Sequence, residues 1–124
     1  MSDTTRTVVE ELLIEGLVDW VDPSWVYSTV SERTPLASFD DRRIHTMGVI
    51  VELLSAGLMV PGDVDELGVF RPWDVGAGDA VERIAERWSR DWPGTVPTPG
   101  AICWMSATPE GEMRAHELVA RERA

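Results

Sequence analysis

Apolar residues recur along this chain at helical and strand spacings, and the breaks between them divide it into short elements. Thr7-Val8-Val9-Glu10 has the threonine-to-glutamate interval of a capping box, in which two side chains satisfy backbone N–H groups at a helix start. Val9, Leu13, Leu17 and Trp20 follow on one helical face, with Leu12 and Val21 widening it, so the spacing predicts a first helix over residues 6–21. Asp22-Pro23 restarts the chain, the carboxylate as cap and the proline at the first helical position, where no N–H is needed. A second helix over 23–32 directs Trp25, Val26 and Val30 at the core before Thr34-Pro35 breaks the pattern. Ser38, with Asp41 three residues on, opens the third and longest helix, 39–56. Ile44, Met47, Val51, Leu54 and Leu58 recur there at helical spacing, and Gly57 ends it.

Beyond Gly57 the elements shorten. Leu58-Met59-Val60 reads as a strand closed by the turn residues Pro61-Gly62-Asp63, and a second short strand follows over 68–71. Residues 79–92 return to helical period, with Val81, Ile84, Ala85, Trp88 and Trp92 on one side and mainly Glu and Arg on the other. Prolines and glycines make 93–100 a loop, and Ala101-Ile102-Cys103-Trp104-Met105 has the length and composition of a strand. Thr108-Pro109-Glu110 repeats the cap-then-proline start for a last helix that turns Met113 and Leu118 inward. The expected fold class is α+β, mainly α with a small antiparallel sheet, and 124 residues suit a single domain over 1–124.

The order helix, short helix, long helix, strand, hairpin region, strand, helix resembles the winged helix-turn-helix superfamily. Glu52-Leu53-Leu54-Ser55-Ala56-Gly57-Leu58-Met59-Val60 is similar to the junction where the third helix of such domains ends on glycine and enters the first wing strand. Trp104-Met105-Ser106-Ala107-Thr108-Pro109-Glu110-Gly111 is similar to the passage from the last wing strand, through a threonine cap, into a C-terminal helix. The resemblance covers residues 6–60 and 101–122. It implies a winged-helix-like scaffold in which 61–100 is an enlarged wing carrying the helix at 79–92. In members that bind DNA the third helix enters the major groove, which implies Arg42, Arg43, His45 and Thr46 as the groove-facing set of a dimeric transcriptional regulator.

Charge turns the functional expectation elsewhere. Twenty-two acidic residues oppose 11 basic ones, all arginine, and the net charge of −11 repels polyanions at long range. Asp40 and Asp41 occupy the end of the third helix that would meet a groove, and Asp63, Asp65, Glu66, Asp74 and Asp79 load the enlarged wing. The favoured reading is therefore a non-catalytic protein-binding or regulatory domain. Its partner is a basic protein or a second copy forming a homodimer, and nucleic acid is disfavoured. An immunity or antitoxin-type protein that neutralises a basic toxin is one form of it. Of the six tryptophans, Trp20, Trp25 and Trp104 fall at core-facing positions. Trp73, Trp88 and Trp92 belong to the insertion and, with Asp74, are the candidate protein-binding residues; the alternative is that they dock the inserted helix onto its own core.

Few residues suggest catalysis, and no catalytic residue, cofactor or metal is expected. Cys103 is the single cysteine, set in an apolar run, which points to a buried thiol and a reducing compartment. Asp41 lies one turn before His45, a pair able to orient a tautomer or share a metal, but two ligands do not make a site and His116 lies on another helix. Ser106 and Thr108 read as cap-region residues, and Gly76-Ala77-Gly78-Asp79 lacks the pattern that cradles phosphate. An enzyme using Asp41, His45 and Cys103 or His116 would require those side chains to converge. No apolar run approaches the roughly 20 residues of a membrane span, and the first twenty residues lack the zones of a signal peptide, so a cytoplasmic location is expected.

Overall fold

Polar side chains placed just ahead of apolar stripes start most of the helices. The computed structural model describes residues 6–124. The first helix, α1 (Val8–Glu15), opens on the capping box: Thr7 Oγ1 accepts the Glu10 N–H at 3.1 Å and the Glu10 carboxylate accepts the Thr7 N–H at 2.9 Å. Asp22 caps α2 (Pro23–Arg33) by accepting the N–H groups of Ser24 and Trp25, and Ser38 caps α3 (Phe39–Ser55) through the Asp41 N–H. Each such cap contributes about 1 kcal/mol by satisfying a donor the helix cannot. The helix within residues 61–100, α4 (Ala77–Asp91), starts at Gly76 without a side-chain cap. Thr108 then opens α5 (Pro109–Arg123), accepting the Gly111 N–H at 3.0 Å and donating to the Gly57 carbonyl at 2.6 Å, which ties this helix start to the end of α3.

The sheet is small and antiparallel. Its central strand, β1 (Met59–Val64), pairs on one side with β2 (Phe70–Pro72) and on the other with β3 (Trp104–Ala107). Pro61, Gly62 and Asp63, expected as a turn, lie inside β1. Pro61 lacks only a donor, and its carbonyl still accepts the Trp73 N–H at 2.9 Å. Gly62 lets the strands approach closely: a Cβ there would sit 2.4 Å from the Arg71 carbonyl oxygen. The last strand begins at Trp104 rather than 101, since Ile102 and Cys103 are buried without joining the ladder.

Three further expectations are corrected. The first helix ends at Glu15 instead of reaching 21, because the chain turns at Gly16 and Val21 leaves to form an isolated antiparallel bridge with Met105. On α3 the buried stripe is Thr46, Val49, Ile50, Leu53 and Leu54, while Ile44 is 66% and Val51 41% exposed. Thr46 can lead that stripe because its hydroxyl donates to the Arg42 carbonyl one turn back at 2.7 Å, so nothing polar is left unpaired. On α5, Gly111, Ala115 and Leu118 face inward and Met113 faces out, the small residues allowing the helix to seat closely against α1 and the start of β1.

Side chains from all five helices, β1 and β3 join one hydrophobic core, with α3 between α2 and α4. The result is α+β, mainly helical with one small sheet, and the order and pairing of its elements are compatible with a winged-helix-like scaffold. Among the described residues no helix is long and apolar enough to cross a membrane.

Candidate functional site

The tryptophans of residues 61–100 turn toward their own protein. Trp88 is 1% exposed, with its ring against Tyr27 and Phe39 at centroid distances of 6.2 and 6.5 Å and its indole N–H donating to the Thr95 carbonyl at 2.9 Å. It is a core residue and has no surface to offer a partner. Trp92 is half-buried against the same core. Trp73 is also half-buried, donates its indole N–H to Asp63 at 3.0 Å, and lies under the guanidinium groups of Arg83 and Arg87 at 4.4 and 5.1 Å from its ring centroid. Of the four candidate protein-binding residues, Asp74 alone is exposed.

The groove-facing set on α3 does not assemble either. Arg42 folds back on the carbonyls of Thr34 and Pro35 at 2.9 and 3.1 Å, bracing the turn between α2 and α3. Arg43 reaches Ser89 of α4 at 3.3 Å, and Thr46 is completely buried. His45 is exposed, and its neighbours on the outward face are Asp41, Ile44, Gly48, Val51 and Glu52. That surface is acidic and apolar where a phosphate-binding surface needs cations.

The chemically reactive candidates stay apart. Asp41 and His45 form no ion pair among the described residues, and no group of three or more His, Cys, Asp or Glu is placed there to hold a metal ion. His116 is exposed on α5, and Thr108 serves as its helix cap. Cys103 is buried, and burial, reinforced by the negative charges of Asp22 and Asp63, pushes its thiol up to about 12, far from the thiolate a nucleophile requires.

The structure opens a cleft around the tryptophans expected in the core. Trp20, Trp25 and Trp104 line a cleft of about 430 Å³, together with Asp19, Asp22, Ser24, Ser28 and Pro99. Trp25 is 40% exposed, and Trp20 and Trp104 are half-buried. Early termination of α1 is the cause: Trp20 leaves the helical stripe, stacks on Phe70 at 6.0 Å and meets Trp104 at 6.3 Å. Asp22 is 2% exposed and accepts hydrogen bonds from Ser24, the Trp25 N–H and, across the fold, the Gly100 N–H at 2.8 Å. Gly100 is required twice over. Its φ of +76° suits glycine, and a Cβ there would sit 2.5 Å from the Trp104 ring. The loop before β3 is thereby fixed to the N-terminus of α2, and the cleft is a built feature. The Asp22-Pro23 cap, with Trp20 and Trp25 on either side of it, was the local signal for this site.

Compared with protein-family models, with curated proteins and with solved structures, the chain matches none. The winged-helix comparison thus rests on element order and pairing.

Proposed function

We propose that this chain is a non-catalytic binding domain that recognises a basic protein partner from an acidic, winged-helix-like scaffold. One observation carries the proposal: the outward face of α3 presents Asp40, Asp41 and Glu52 beside exposed Ile44 and Val51, while the guanidinium groups of Arg42 and Arg43 are engaged within the protein. With a net charge of −11, such a face attracts a cationic protein surface at long range and offers apolar area on contact. Neutralisation of a basic toxin, as by an immunity or antitoxin-type protein, is the form of function that best matches these properties. The transcriptional-regulator alternative has less support, because Thr46 is buried and both arginines would have to abandon their present acceptors.

The test is a pair of retention measurements on the intact chain. A basic partner from the native host is expected to be retained in a salt-dependent way. The charge-reversing triple variant Asp40→Arg, Asp41→Arg and Glu52→Arg is expected to release it, with on-rates falling by roughly tenfold or more. Retention on mixed-sequence duplex DNA at low salt, diminished by Arg42→Ala and Arg43→Ala, would overturn the proposal.

A further inference from the structure

The geometry points to the Trp20, Trp25 and Trp104 cleft as a receptor for a guanidinium group, specifically an arginine side chain of the basic protein partner. The inference deepens the function proposed above and relies on it for the source of that arginine. Three observations converge. First, the cleft is walled by three indoles, whose faces carry the negative side of the ring quadrupole and attract cations, most strongly when partly desolvated. Second, its lining includes the carboxylates of Asp19 and Asp22 and no basic side chain. Asp22 is buried and held by N–H and hydroxyl donors, not by a cation, so its charge still acts on the cleft through a medium of low dielectric. Third, the same protein displays the pairing elsewhere in completed form, where Arg83 and Arg87 cover Trp73 at 4.4 and 5.1 Å. Among the described residues no arginine covers Trp20, Trp25 or Trp104, and none of their indole N–H groups has an acceptor there.

A planar, weakly hydrated guanidinium fits these demands better than the alternatives. It stacks on indole faces and presents donors to the exposed Asp19, whose Oδ1 accepts the Trp20 N–H at 2.7 Å and whose Oδ2 takes no hydrogen bond among the described residues. An anion would face two like charges. A sugar needs a dense set of hydrogen-bonding side chains, yet the Asp22 carboxylate and the Ser24 hydroxyl are already bonded to each other, leaving Asp19 and Ser28 as the principal side-chain polar groups.

The test is a titration of the intact, isotope-labelled chain with N-acetylarginine amide, followed at the indole N–H resonances. Saturating shifts are expected at Trp20, Trp25 and Trp104, with none of comparable size at Trp88, and a dissociation constant on the order of 1 mM for so small a probe. N-acetylcitrulline amide, the neutral isostere, is expected to bind roughly tenfold more weakly, and Asp19→Asn to weaken arginine several-fold. Trp25→Ala, on the surface of α2, is expected to abolish the shifts at Trp20 and Trp104 while cooperative unfolding persists. Equal shifts with citrulline, no shifts at roughly fifty times the expected constant, or shifts indifferent to Trp25→Ala overturn the proposal. The broader reading fails separately. A basic partner retained through Asp40, Asp41 and Glu52 but unaffected by Trp25→Ala removes the cleft and leaves the binding domain standing. Arginine capture without any basic partner supports the guanidinium site and overturns its assignment to a protein source.

Discussion

Two groups of tryptophans in this molecule are used in opposite ways. Between β1 and β3, Trp88 is sealed under Tyr27 and Phe39 with its N–H bonded to Thr95, and Trp73 is capped by two arginines with its N–H bonded to Asp63. Around the α2 cap, Trp20, Trp25 and Trp104 line an open cleft beside two carboxylates. Residue type is the same in both places. What differs is whether the fold itself supplies a lid, a cation and an acceptor. An amphipathic helix such as α4 must bury its apolar face on something, and here it buries Ala80, Ile84 and Trp88 against its own body. Among the described residues no element covers the cleft.

Stability measurements would break this contrast if it is wrong. Trp88→Ala should have the largest effect, a loss of about 3–5 kcal/mol in chemical denaturation, since it empties a fully enclosed site. Trp25→Ala should cost clearly less, about 1–2 kcal/mol, because 40% of Trp25 is already exposed; similar losses from both would erase the distinction.

Gly100→Ala comes next, at about 2 kcal/mol, because it strains a left-handed backbone and drives a methyl into Trp104. It should also change the fluorescence of the cleft tryptophans, which sharpens the view that the cleft is held open by design of the backbone.

The two arginines over Trp73 offer a finer comparison. Arg87→Ala should cost about 1–2 kcal/mol, because this side chain also donates to the Ile102 carbonyl at 2.9 Å, whereas Arg83→Ala should cost about 0.5 kcal/mol.

The smallest effect is expected on acidification. Hydrogen bonds from Arg6 hold the Glu122 carboxyl below the usual glutamate value. Its contribution is therefore present above that usual value and is lost as pH falls through the lowered one. Protection factors at the end of α5, which take out the intrinsic slowing of amide exchange in acid, should fall in that window before those in α3 do, and a simultaneous fall would argue against a local effect.

Local hydrogen-bonding chemistry was legible in the sequence, and the direction in which each face points was less so. Thr7, Asp22, Ser38 and Thr108 were all readable as caps because a cap is decided within three residues. The phase of α3 was not, since its buried stripe begins with a threonine whose hydroxyl is satisfied by its own helix, leaving Ile44 and Val51 outside. Met113 misled in a similar way: α5 packs through Gly111 and Ala115, which carry little apolar signal. The cleft escaped for a topological reason. Trp20 and Trp104 are far apart in sequence and meet only because Val21 bridges to Met105, a pairing that helical periodicity through residue 21 concealed.

Cys103 gives the molecule an intrinsic clock. A sulfhydryl enclosed beside Trp104 and raised to about 12 ignores alkylating reagents until the surrounding segment swings outward. The rate at which iodoacetamide marks it, relative to a free cysteine peptide, thus counts how often the wall of the cleft lifts away from the rest of the protein, with no engineered label.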